Sequence, residues 1–253
     1  MKQIPNLFTL LNLFFGCLAI VAIMQSGLAI TVDAGGQQLV EIPESIFMAS
    51  VFIGIAAVVD FFDGFVARLL KASSEMGKQL DSLADVVSFG VAPGMIVYQF
   101  LRLSFAQQEN GLEVATLWLM PAFIIPCAGA YRLARFNIDT EQSFGFKGVP
   151  IPAAGLFIAA FPLVYWHSNN ATIVELLRNQ WFWYGIVVFI SFLMVSTLPM
   201  LALKFKEVTV KKMLPFILIA LLSIVSAFLV GWLAVPIGFV AYVILSLIFK
   251  QTN

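Results

Sequence analysis

Residues 60–85 read DFFDGFVARLLKASSEMGKQLDSLAD, and they hold the four aspartates, Asp60, Asp63, Asp81 and Asp85, around which the rest of the chain is arranged. FIGIAAVV leads into Asp60 and VVSFGVAPG follows Asp85, so both acidic pairs sit at the ends of apolar segments, where ionisable side chains are costly and default to function. Asp60 and Asp63 are three apart, Asp81 and Asp85 four apart, and on helices both spacings put the side chains on one face. Each pair can therefore converge on one ligand. Four crowded carboxylates repel one another unless cations neutralise them, and two divalent ions supply the missing charge. The bland alternative, four acids on a solvated loop, does not fit the apolar text on either side.

The same helical face carries Gly64, Ala67 and Arg68, two positions with almost no side chain beside one fixed cation. A bulky anion can lie against that bare backbone, with Arg68 offering a planar donor fork to a phosphate oxygen. Gly77, four residues before Asp81, provides a second close-approach or turn position.

Composition sets the surroundings. Hydrophobic residues make up 61% of the 253 and charged residues 11%. Apolar runs of about 20 residues, the length that crosses a bilayer as helix, recur along the chain. They are continuous, not alternating, which argues against a strand-built barrel. The reading is an all-α polytopic membrane bundle of about eight transmembrane helices. Formal net charge is zero and no basic arm interleaved with aromatics occurs, so no nucleic-acid partner is expected. Cys17 and Cys127 lie in apolar segments without a second ligand nearby and imply neither disulfide nor zinc site. His167, the single histidine, falls in a predicted loop and reads as incidental.

The spacing D-x-x-D-G-x-x-A-R-x8-G-x-x-x-D-x-x-x-D, fitted without departure by Asp60, Asp63, Gly64, Ala67, Arg68, Gly77, Asp81 and Asp85, resembles the signature of the CDP-alcohol phosphatidyltransferase family. The resemblance implies an integral membrane enzyme that moves a phosphatidyl group from a CDP-linked lipid to an alcohol and releases CMP. It further implies two divalent cations, Mg or Mn, on the first three aspartates and usually the fourth, with Asp85 as the proposed base. A metal-bound carboxylate is a weak base, so positioning of the acceptor hydroxyl is the other role open to Asp85. Members commonly form homodimers. The bacterial inner membrane, with the active site facing the cytoplasm, is the location it implies.

Taken in order, the chain begins with three residues before the apolar run Ile4 to Ile30, too long for a signal-peptide core and read as the first transmembrane helix. Asn6, Thr9 and Asn12 form a polar edge on it, requiring partners inside the bundle. The opening IPNLFTLLNLFFG resembles the P-N-x-x-T start of the family, and by that likeness Asn6 and Thr9 line the nucleotide cleft. Helix-to-helix hydrogen bonding is the alternative. Thr31 to Ser45 lacks Lys and Arg and reads as external. A second helix, about Ile46 to Leu70, carries the first acidic pair. In the link KASSEMGK, Ser73 or Ser74 can cap the next helix or donate to phosphate, and the family places a nucleotide contact at the position of Ser74.

The third helix, about Gln79 to Leu103, meets Gly90, Pro93 and Gly94, which predict a kink that either opens the cleft or only serves packing. A fourth, about Val114 to Phe136, ends in AYRLARFN, with Arg132 and Arg135 on one face and Asn137 beside them. The positive-inside rule alone would place arginines there. RLARFN followed by FKGVPIPAA resembles the phosphatidylserine synthase branch, which implies CDP-diacylglycerol and L-serine as substrates. Arg132, Arg135, Asn137 and Lys147 are then candidates for the acceptor's carboxylate or the lipid phosphate.

Four further apolar runs, about Ile151 to Trp166, Trp181 to Leu203, Met213 to Val230 and Leu233 to Phe249, complete the count. All Lys and Arg except Arg102 and Arg178 then fall on one side, which predicts both termini in the cytoplasm. Trp118, Trp166, Trp181 and Trp183 fall at predicted external ends, as membrane-interface aromatics do. The expected organisation is one integral membrane domain over residues 1–253 in contact with membrane lipids, with a catalytic motif at 60–85, a second basic motif at 131–152, and further helices over 181–253 for packing or dimerisation. Lys204 to Lys212 either attracts anionic headgroups or only sets topology. Two rival functions remain: the same transfer to glycerol phosphate or inositol phosphate, and an ion-coupled transporter. The transporter reading expects two similar halves with interrupted segments, whereas the acidic cluster lies in one half.

Overall fold

The computed structural model describes residues 4–32, 38–69, 74–108, 111–139, 146–201 and 210–249. The first helix, α1, runs Ile4–Gln25 and opens with Pro5 in its first turn, where the missing N–H costs no intrahelical bond. A short antiparallel ladder of β1 (Ala29–Val32) and β2 (Gln38–Glu41) follows, in register Ala29↔Glu41. Then come α2 (Phe47–Leu69) and α3 (Glu75–Asp85), the latter capped by Ser74, whose hydroxyl accepts from Gly77 N.

Without a break, α3 passes into a π-helical turn over Val86–Val91 and on into α4 (Ala92–Ala106). The predicted kink at Gly90, Pro93 and Gly94 thus takes the form of a widened turn with Pro93 just after it, where a missing N–H is absorbed by the altered ladder. Gly90 and Gly94 lie against Pro126, where an added Cβ would meet ring or backbone atoms at 3.3 and 3.2 Å. Their small size lets the next helix, α5 (Ile124–Ile138), approach closely. Three short 3-10 turns precede α5, so it begins ten residues later than predicted, after Pro121.

β3 (Phe146–Lys147) leads through Gly148, at φ 78, into α6 (Ile151–His167), α7 (Ala171–Leu177) and α8 (Gln180–Val195). Asn170 and Asn179 cap α7 and α8 by accepting from Thr172 N and Trp181 N. β4 (Pro199–Met200) pairs with β3, so the predicted helix Trp181 to Leu203 stops at Val195. The last two helices, α9 (Val210–Val230) and α10 (Ala234–Ile248), fold back on each other at Gly231, φ 59, with Gly238 against Ser223.

The molecule is mostly helical, with the two small ladders as departures from the all-α expectation. Among the described residues, four stretches are long and apolar enough to cross a membrane: Pro5–Gln25, Glu44–Val66, Glu75–Ala106 and Met213–Ile248. Two shorter apolar helices, Ile151–His167 and Gln180–Val195, accompany them. With these helices the chain is an integral membrane protein. Its centre is aromatic: Phe100 and Trp183 stack at 4.7 Å and Phe161 meets Trp183 edge-on at 5.3 Å. Trp183 is fully buried and donates from Nε1 to Leu177 O, so it belongs to the core and not to an interfacial belt, whereas Trp118 and Trp181 are exposed. Cys17 and Cys127 are both free.

Polar contacts gather at two ends. At one, Arg178 pairs with Glu41 at 2.8 Å, Gln107 donates to Val40 O, and Gln108 to Gln180. These join segments that the charge pattern assigns to a single side. The four motif aspartates belong to the other end, together with Lys78, Arg135 and Asn137. Lys204 and Lys206 lie outside the described residues, as do Ser73 and the side chains of Lys211 and Lys212.

Candidate active site

Helix α1 supplies the floor. Thr9 and Asn12, three residues apart, are both buried and point at different acids. Thr9 Oγ1 donates to Asp63 Oδ2 at 2.8 Å, and Asn12 Nδ2 donates to Asp85 Oδ1 at 3.3 Å. The polar edge of the first helix therefore has its partners in the acidic motif.

Above it, α2 and α3 bring their carboxylates together. One oxygen each from Asp60, Asp63 and Asp81 lies within 4.8 Å of the others, an arrangement able to hold a metal ion. Asp85 also lies near enough to Asp60 and Asp81 to act on both electrostatically. Anions are held so close only by a shared proton or an intervening cation. Asp63 and Asp85 are each 6% exposed, so bulk water cannot screen them. A donor set made only of carboxylate oxygens fits hard divalent cations such as Mg or Mn, not zinc or copper.

Beside the acids lies a cavity of ≈ 530 Å³, reached by Asn6, Thr9, Asp63, Gly64, Gly77 and Asp81, with Ser74, Glu75 and Lys78 along α3. A Cβ at Gly64 would meet nothing within 4 Å, so the glycine borders open space. At Gly77 a Cβ would sit 3.0 Å from Asn6 Oδ1 and 3.1 Å from Ser74 Oγ, so this glycine permits a close approach of α1 to α3. Ala67 and Arg68 stand on the last turns of α2, and their side chains lie outside the described residues.

The basic motif divides into separate environments. Arg132 is 5% exposed, its Nε has no hydrogen-bond partner, and its guanidinium lies 5.8 Å from the Phe136 ring. Asp85 is close enough to act on it electrostatically. Arg135, one turn on, donates to Val195 O at 2.7 Å and Ser196 O at 2.9 Å, closing the C-terminal end of α8. Asn137 donates to Ser82 Oγ at 2.8 Å and accepts at its backbone carbonyl from Lys78 Nζ at 3.0 Å, tying α5 to α3. Lys147 is paired with Asp139 at 3.1 Å. Sequence reading did not single out Glu75, Lys78, Ser82 or Ser88 for the site. Lys78 and Ser82 lie on turns adjoining Asp81, a signal available but weak.

Comparison with known proteins gives the family. A family model described as CDP-alcohol phosphatidyltransferase matches residues 2–178. The chain is 35% identical over 196 residues, 77% of its length and 70% of the relative's, to a protein of Helicobacter pylori strain J99 named CDP-diacylglycerol–serine O-phosphatidyltransferase. A Bacillus subtilis strain 168 protein of that name is 33% identical over 171 residues, 65% of this chain and 78% of the relative. An archaetidylserine synthase of Methanothermobacter thermautotrophicus is 32% identical over 168 residues, 66% of this chain and 60% of the relative. With the acidic motif, the clustered carboxylates and a match over most of its length, the chain belongs to the CDP-alcohol phosphatidyltransferase family and is a transferase of that family.

Proposed function

We propose that this protein transfers the phosphatidyl group of CDP-diacylglycerol to L-serine, giving phosphatidylserine and CMP. The observation that carries the reading is the meeting of Asp60, Asp63 and Asp81 within 4.8 Å beside the ≈ 530 Å³ cavity. Those three residues, with Asp85, would hold two divalent cations, Mg or Mn, which would supply charge neutralisation for the pyrophosphate and the departing CMP. Thr9 holds Asp63 in its orientation. Gly64, Gly77 and Ala67 leave the space in which the nucleotide diphosphate lies, and Asn6, Ser74 and Arg68 are the polar groups that meet it.

Asp85 takes the proton of the serine hydroxyl as that oxygen attacks the lipid-proximal phosphorus and the bond to CMP breaks. Arg132 receives the serine carboxylate. Its burial and unpartnered Nε support this assignment, since a desolvated guanidinium gains most from a planar anionic partner. Arg135, Asn137 and Lys147, engaged with Val195, Ser82 and Asp139, hold the motif in shape. One partly unpaired guanidinium among the described residues suits a carboxylate, and a phosphate-bearing acceptor would require a denser set of cations.

The topology that accompanies this reading has about eight spans, both termini and the acidic site on the cytoplasmic face of the inner membrane, and one domain whose helices over 181–253 support packing or a homodimer. Purified protein supplied with CDP-diacylglycerol, Mg or Mn and each alcohol in turn tests the acceptor. Serine-dependent CMP release is expected; release driven by glycerol 3-phosphate or inositol phosphate, and not by serine, would replace it.

A further inference from the structure

Asn12 lies in the middle of α1, wholly buried, and its amide donates to Asp85. Its backbone carbonyl accepts from Ser88 Oγ at 3.0 Å. One turn further along, Gly16 comes so close to Ser88 that a Cβ there would stand 2.9 Å from the Ser88 Cα. One face of α1 thus grips the chain where α3 gives way to the π-helical turn, which begins at Val86, directly after Asp85. A π-helical turn rotates the side chains on either side of it relative to an unbroken α-helix. The direction in which Asp85 points therefore depends on how that turn is docked.

The amide of Asn12 is satisfied at one end only. Nδ2 meets Asp85, while Oδ1 is buried without a partner. Exchanging the two amide atoms would set oxygen against carboxylate, two acceptors face to face, so Asp85 dictates the orientation. A buried amide kept for cohesion between helices is expected to pair at both ends.

We propose that Asn12 is a positioning residue for the transfer reaction: it occupies Asp85 Oδ1 from the α1 side and so fixes which way the second carboxylate oxygen faces. This rests on the reading of Asp85 as the group that meets the acceptor. With Oδ1 held, the carboxylate cannot rotate about its last torsion, and the attacking oxygen finds it in one orientation.

The test uses the purified full-length chain in lipid nanodiscs and measures CMP release with varied CDP-diacylglycerol and serine, together with the thermal midpoint, for Asn12→Ala and Asn12→Leu. A kcat reduced about tenfold or more is expected, with KM for CDP-diacylglycerol within about twofold and the midpoint nearly unchanged. Wild-type kcat would overturn the proposal. So would variants that lose fold and activity together, or whose defect is confined to KM, since these assign Asn12 to packing or to lipid binding. The double variant Asn12→Ala with Asp85→Asn should fall no further than Asp85→Asn alone, and additive losses would contradict the coupling. If Asp85→Asn itself keeps wild-type turnover, the assignment of Asp85 fails; if only the Asn12 variants keep it, the positioning role alone fails.

Discussion

Thr9 Oγ1 donates to Asp63 Oδ2 across 2.8 Å, so the first helix reaches into the acidic motif more than fifty residues away. This bond ties α1 to α2 at the acidic motif. It also orients an acid that is only 6% exposed. Thr9→Val keeps the shape and removes the donor. A hydrogen bond to a charged group contributes about 1.5–3 kcal/mol, so kcat/KM is expected to fall roughly 10- to 100-fold, with more metal needed for half-maximal activity. Titrating Mg and Mn against CMP release for wild type and variant checks this.

Arg132 and Arg135 are three residues apart and should fail differently. Arg132→Gln is expected to raise KM for serine about tenfold or more while leaving KM for CDP-diacylglycerol unchanged, because a desolvated charge-assisted contact is lost only at the acceptor. Arg135→Ala removes donors from Val195 O and Ser196 O and should cost about 1–3 kcal/mol of stability, with activity falling in step for all substrates. Steady-state kinetics with each substrate varied, beside thermal melts, separates the two.

Two glycines offer a similar contrast. Gly64 borders open space, so Gly64→Leu should leave the fold intact and fill the cavity, raising KM for CDP-diacylglycerol. At Gly155 an added Cβ would lie 2.9 Å from the Phe89 Cα, Cβ and O. Gly155→Ala is therefore expected to destabilise the protein by about 1–3 kcal/mol through overpacking against the π-helical turn. Melting curves in detergent distinguish the variants without an activity assay.

Chelation should act at the aspartates and nowhere else. EDTA is expected to abolish CMP release, with Mg or Mn restoring it and the fold unchanged by circular dichroism. Residual turnover at full chelation would remove the cations from the account.

The acidic motif was legible because its information is periodic: residues three and four apart on helices must share a face, and Asp60, Asp63 and Asp81 do meet. The polar edge of α1 was legible for the same reason, since Asn6, Thr9 and Asn12 repeat every three residues and a membrane helix cannot leave them unpaired. Which acid Thr9 and Asn12 would meet was not, because that depends on the rotation of α1 against α2 and α3. The π-helical turn at Val86–Val91 left only Gly90, Pro93 and Gly94 as clues, and these predict an irregularity without its form. β3 and β4 are two residues each, too short for any alternation to register. Trp183 was misplaced because an aromatic at the start of a helix reads alike whether it faces the interface or, as here, stacks on Phe100. Arg132 and Arg135 carried equal weight in sequence. The end of α8 at Val195 and Ser196, brought beside Arg135 by the fold, and the burial of Arg132 tell them apart.

The central claim is that the carboxylates of Asp60, Asp63, Asp81 and Asp85 form one site for phosphatidyl transfer to serine. Its most direct test is transfer of radiolabelled serine into extractable lipid by the purified protein with CDP-diacylglycerol and Mn, for wild type beside Asp60→Asn and Asp81→Asn. Labelled phosphatidylserine from wild type, and at least a hundredfold less from each variant at unchanged thermal stability, is the predicted result, in line with the ~10²–10³ lost on removing a preorganised electrostatic group. Labelling that persists in the variants, or none from a well-folded wild type, would contradict it.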